Sequence, residues 1–123
     1  MILLDTNAVI WLLTGHRRAE PLTGTDQRLY LSPVVLLELQ FLAEVGRLSV
    51  VPGHSVAKVA DDPRWQLDSP ASEFLFRTAL DIGWTRDPFD RLLAAHARCR
   101  RWRIATGDRR FVEMMPGMSV FAL

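Results

Sequence analysis

The chain has 123 residues, 49% of them hydrophobic and 24% charged, which is enough apolar side chain to bury one core and too much for a disordered chain. A net charge of +1 says nothing by itself about a partner, while the single cysteine, Cys99, excludes an internal disulfide. No Cys/His spacing suits zinc, and no apolar run approaches the roughly 18–20 residues of a membrane span, so no membrane association is expected.

Taken in chain order, Ile2-Leu3-Leu4 reads as a short buried strand ending at an acid, Asp5. The start has neither the basic residues nor the longer apolar stretch of a signal peptide, so the expectation is a cytoplasmic protein with residues 1–123 as one domain. Asn7 to Leu13 reads as a helix that Thr14-Gly15-His16 ends, and Arg28 to Leu31 as a second strand. Ser32-Pro33 places a capping residue before proline at the first helical position, opening a helix to about Val45, where Gly46 stops it. Leu48 to Val51 fits a strand or an extended link, Ser55 to Ala60 a short helix, and Trp65 to Leu67 a short strand. Ser69-Pro70 repeats the cap-plus-proline signal before a helix to about Ile82, and Asp87-Pro88 repeats it before a helix to about Trp102. Arg103 to Thr106 is a further strand, leading to Gly107-Asp108, and Met118 to Phe121 is the last. Apolar runs of strand length alternating with helical patterns predict βαβ units, hence an α/β fold around a parallel sheet.

That topology brings acids together. In an open parallel sheet the C-terminal strand ends share one edge, and the helices that follow them begin there. Asp5 and Asp108 end strands, Glu38 lies in the second turn after Ser32-Pro33, and Asp90 lies in the first turn after Asp87. Each has a plainer role when taken singly: a helix cap for Asp5, a turn or surface pair for Asp108, a dipole-favoured first-turn acid for Asp90, a pairing or exposed position for Glu38. Glu38 is the most telling, because its helical neighbours Val34, Phe41 and Leu42 are all apolar. A carboxylate on such a face has to be paired, metal-bound or neutral. Four convergent carboxylates repel one another, and a hard divalent cation with oxygen ligands, Mg²⁺ or Mn²⁺, relieves this. Asp87, fixed by Pro88 at the cap position, is assigned to structure and Asp90 to the metal. His16 and His54 fall in loop-like segments, and His96 in mid-helix reads as structural. Residues 86 to 110 carry eight arginines against three aspartates, which reads either as a solvated face or as a basic rim for a phosphodiester.

Leu3-Leu4-Asp5-Thr6-Asn7 resembles the opening motif of PIN domains. Ser32, Pro33 and Glu38 resemble their second motif, and Arg86 to Ala97, with Asp87-Pro88-Phe89-Asp90-Arg91, resembles the third in a branch carrying that signature. Thr106-Gly107-Asp108-Arg109-Arg110-Phe111 is similar to the last, so the resemblance runs from Met1 to about Phe121; residues 52 to 70 match no motif. It implies a three-layer α/β/α fold and Mg²⁺- or Mn²⁺-dependent RNA cleavage by Asp5, Glu38, Asp90 and Asp108. It further implies the VapC-type toxin of a bacterial toxin–antitoxin pair, a homodimer and a small antitoxin that occupies the active site. Apolar residues Phe41, Leu42, Phe74, Leu75 and Phe76 suit either a dimer face or an ordinary core. Thr6, Asn7 and Thr106 are candidates to orient the carboxylates, or are caps and turn residues. The rival readings are a catalytically silent RNA-binding or partner-binding module and a phosphatase. The acid two residues after a nucleophilic aspartate that phosphatases commonly use is missing, since Asn7 stands there.

Overall fold

Five short strands form one sheet, with every neighbouring pair parallel, in the order β3-β2-β1-β4-β5. They are β1 (Ile2–Leu4), β2 (Leu29–Leu31), β3 (Gln66–Leu67), β4 (Arg103–Thr106) and β5 (Val120–Ala122). Six α-helices, α1 (Thr6–Thr14), α2 (Glu20–Thr23), α3 (Pro33–Glu44), α4 (Ser72–Leu80), α5 (Pro88–Arg100) and α6 (Arg109–Met114), complete a three-layer α/β/α architecture. The computed structural model describes the backbone over residues 1–123 and every side chain except that of Met118.

The central strand explains the run Ile2-Leu3-Leu4. All three side chains are fully buried, because helices cover both faces of a parallel sheet and leave no solvent side to favour alternation. The edge strands show the contrast: Gln66 and Leu67 of β3 are exposed.

Helix starts follow the local signals in two of the three cap-plus-proline sites. The Ser32 hydroxyl accepts from the Val34 amide at 3.2 Å, and Asp87 accepts from Phe89 at 2.9 Å and Asp90 at 3.3 Å. At Ser69-Pro70 the expectation fails. The Ser69 hydroxyl donates to the Pro70 carbonyl, and α4 starts only at Ser72, after an Ala71 cap without a side-chain bond. The chain is held extended there because Asp68 is anchored to α5. His96 Nε2 donates to Asp68 at 2.8 Å, and Arg100 donates to it at 3.0 and 3.1 Å.

Of the two readings for Leu48 to Val51 the extended link holds, since no strand forms there, while two other expectations are adjusted. Ser55 to Ala60 becomes a 3-10 helix at Val56–Asp61. Together with α1 and α3, this segment lines an apolar groove of about 620 Å³ between Ile10, Leu13, Leu39, Val50, Val51 and Val59. The last strand begins at Val120 rather than Met118, whose side chain lies outside the described residues.

The Asp68 anchor is testable. His96 is fully buried and burial holds its pKa below the usual value, so it stays neutral with its Nε2 proton on Asp68. Asp68→Ala leaves that buried donor without an acceptor and should cost about 1–3 kcal/mol, read as a lower urea midpoint. Asp68→Asn, which keeps an acceptor oxygen, should recover part of the loss. Equal midpoints for Asp68→Ala and wild type would refute the anchor.

Candidate active site

The C-terminal ends of β1 and β4 lie side by side, with Leu4 paired to Ala105 and the Asp5 amide donating to the Ala105 carbonyl at 3.1 Å. Asp5 follows β1 as the cap of α1, where its Oδ1 accepts from the Ala8 amide at 2.7 Å. Only 6% of it is exposed, and burial raises its pKa to about 6. The Glu38 and Asp108 carboxylates push it further up, while Thr106 and the Ala8 amide pull it down.

Asp108 caps α6, accepting from the Arg110 amide at 2.8 Å, while its own amide donates to the Thr106 hydroxyl at 3.0 Å. The preceding residue has to be glycine for a steric reason. A Cβ at Gly107 would stand 2.6 Å from Trp11 Cη2 and 2.7 Å from Arg18 Nη2. The turn carrying Asp108 is thereby packed closely against Trp11 of α1, the helix that Asp5 opens.

Glu38 is half-buried on α3. It answers the question its apolar neighbours pose by accepting a hydrogen bond from the Thr6 hydroxyl, so the residue after Asp5 ties α3 to the end of β1. Burial raises its pKa, with Asp87 adding to the rise and Thr6 and Arg47 opposing it. Asp90, in the first turn of α5, has a side chain only 16% exposed. Burial, then the Asp87, Glu38 and Asp108 charges, push its pKa up to about 7, against the pull of Arg110. The Arg110 guanidinium reaches back from α6, donating to Asp90 at 3.3 Å and lying 4.0 Å from Asp108.

The four sequence candidates thus lie at one edge, close enough that Glu38 and Asp108 both help to raise the pKa of Asp5 and of Asp90. They are not drawn to a common point: among the described residues no three Asp, Glu, His or Cys side chains form a group that could hold an ion as packed. Each carboxylate instead has its own partner in Ala8, Thr6, Arg110 or the first turn of α6. Asp87 uses its carboxylate as the α5 cap.

The arginine run mostly does structural work. Arg91 donates to the Ala79 and Leu80 carbonyls, Arg100 binds Asp68, and Arg103 lies 5.1 Å over the Phe121 ring. Arg98, Arg100 and Arg101 sit at the far end of α5, on the sheet edge away from the acids. Only Arg86, Arg109 and Arg110 remain beside the helix starts that carry Asp90 and Asp108. Arg110 was not among the sequence candidates. Its signal was its place in the first turn of a helix capped by one of them.

An open parallel sheet with acidic side chains on its C-terminal edge is the class of scaffold in which ligands bind at strand ends. Residues 2–115 match the PIN domain family, and the chain belongs to it. No curated protein sequence matches it significantly. Among solved structures it is similar to a chain of a toxin–antitoxin complex from Klebsiella pneumoniae, at 16% identity and TM-score 0.72, covering 99% of this chain and 97% of that one. It is also similar to a chain of DNA-bound VapBC from Salmonella typhimurium, at 24% identity and TM-score 0.69, covering 98% and 96%. A chain of VapBC2 from Rickettsia felis bound to a promoter DNA fragment matches at 16% identity and TM-score 0.70, covering 100% and 99%. At such identities the likeness speaks for the fold.

Proposed function

We propose that this chain is a Mg²⁺- or Mn²⁺-dependent endoribonuclease, acting as the toxin of a bacterial toxin–antitoxin pair. The observation that carries the reading is the placement of Asp5, Glu38, Asp90 and Asp108 at one sheet edge, where burial above all, with smaller contributions from neighbouring carboxylates, raises the pKa of Asp5 to about 6 and of Asp90 to about 7. Partly buried acids set beside one another fit a hard divalent cation, and the donor set is all oxygen. The site also already attracts a cation, since Arg110 is drawn into it. Asp5, Glu38 and Asp90 would hold one ion, and Asp108 would complete that site or serve a second. When bound, the ion supplies Lewis-acid activation of the phosphodiester and offsets charge on its non-bridging oxygens.

The chain's own residues orient these groups. Thr6 fixes the rotamer of Glu38, the Ala8 amide and Thr106 hold Asp5, and Asp87 fixes the start of α5 so that Asp90 faces the strand ends. Arg86 and Arg109 are exposed beside the site and suited to phosphate. RNA incubated with purified protein and Mg²⁺ or Mn²⁺ should be cut internally, and cleavage should stop with chelator. Intact RNA under all metal conditions would overturn the reading.

The antitoxin partner is supported by the solved complexes that share the fold, which pair toxins with antitoxins. A homodimer is supported by large apolar side chains that stay largely exposed in the single chain. Leu37 and Phe41 on α3, and Phe74, Phe76 and Leu80 on α4, are 45–76% exposed, whereas Leu75 turns into the core. Light scattering at tens of micromolar should give twice the monomer mass, and Phe74→Glu with Leu80→Glu should return it to monomer. A monomer mass for wild type would overturn the dimer.

A further inference from the structure

We infer that Arg110 is the site's built-in counter-ion, a guanidinium that occupies the acidic pocket in the ion-free protein and must be displaced for a divalent cation to bind. The inference rests on the proposal that the four acids hold a metal, and it assigns that site a regulator from within the same chain. Arg110 donates to Asp90 at 3.3 Å and lies 4.0 Å from Asp108, so a single side chain bridges two proposed ligands on different helices. No other arginine among the described residues makes a hydrogen bond to any of the four acids. Its neighbour Arg109 points elsewhere, lying 3.8 Å from Glu113 with a side chain 91% exposed.

The bridge explains how Asp90 and Asp108 lie near one another without an ion, because the shared guanidinium offsets part of their repulsion. A guanidinium and a divalent cation cannot both take the same Asp90 oxygen. The Arg110 side chain is 56% exposed and, among the described residues, its only side-chain partners are Asp90 and Asp108, so it can leave once a divalent cation takes over their charge. Once displaced, it stands at the rim as a planar bidentate donor of the kind that binds phosphate. Arg110 would therefore weaken cation binding when RNA is absent and be released toward the substrate when the cation arrives.

The test is a Mn²⁺ titration by calorimetry on wild type, Arg110→Gln and Arg109→Gln, each first shown folded by circular dichroism. Arg110→Gln and Arg109→Gln remove the same charge, but only Arg110 touches the acids. Arg110→Gln should bind Mn²⁺ roughly three- to tenfold more tightly than wild type, and Arg109→Gln within about twofold of it. Its Mn²⁺-induced rise in melting temperature should be larger, from a starting point equal to or below that of wild type. A surface ion pair with no bearing on the metal would change the starting point alone. If wild type binds Mn²⁺ and Arg110→Gln binds no more tightly than Arg109→Gln, the inference is overturned while the metal site stands. If neither wild type nor Arg110→Gln binds Mn²⁺ at millimolar concentration, the metal site falls and the inference with it.

Discussion

Asp5→Asn protein is expected to fold normally and to cut RNA at least about 100-fold more slowly than wild type, beyond the loss expected for a residue that only orients a ligand. The two outcomes separate because the carboxylate has two jobs. One oxygen caps α1 through the Ala8 amide, and asparagine is an equally good cap. The other job needs negative charge, which asparagine lacks. Since burial already raises the Asp5 pKa to about 6, removing the charge should leave the ion-free protein no less stable. Undiminished cleavage by folded Asp5→Asn would remove this carboxylate from the chemistry, and with it the proposed nuclease site.

The second large effect separates Asp87 from Asp90, three residues apart on α5. Asp87 accepts from two amides of the first turn, so Asp87→Ala should lower stability by about 0.5–2 kcal/mol and leave substantial activity. Asp90→Asn should abolish cleavage and stabilise the ion-free protein. Its pKa rises from 3.8 to about 7, so the folded state keeps a proton that the unfolded chain has released. Stability from this group is therefore present at low pH and lost as pH rises from about 4 to 7. With discount for Arg110 and solvent, asparagine at 90 should gain about 1–2 kcal/mol above pH 7 and flatten the fall in stability across that window. Melting curves at pH 5 and pH 8 read this directly. A stable, inactive Asp87→Ala beside an active Asp90→Ala would exchange the two roles.

Much of this was legible because it is written locally. Asp5, Ser32, Asp87 and Asp108 each stand before a helix, and parallel topology then sends those helix starts to one edge. What was not legible depends on distant partners. The helix after Pro70 starts late because Asp68 is bound by His96 and Arg100, 28 and 32 residues away. The helices α2 and α6, of four and six residues, are too short to print a periodicity. The arginine run could be read in sequence as a solvated face or as a rim, and a helix of thirteen residues carries Arg98, Arg100 and Arg101 to the edge opposite the acids. The Arg110 bridge to Asp90 spans twenty residues and two helices, and no spacing rule announces it.

The order of the strands has a consequence for synthesis. β1 sits at the centre of the sheet, between β2 and β4, and β4 is made only after β1, β2, β3 and helices α1 to α5. While a ribosome is still translating, Asp5, Glu38 and Asp90 emerge without the strand that sets Asp5 in place or the turn that brings Asp108 beside it. The acids cannot face one another until residues 103–108 have cleared the exit tunnel and β4 has slotted against β1. A product that stops before residue 103 therefore lacks both β4 and Asp108, and on the proposed function it should not cut RNA.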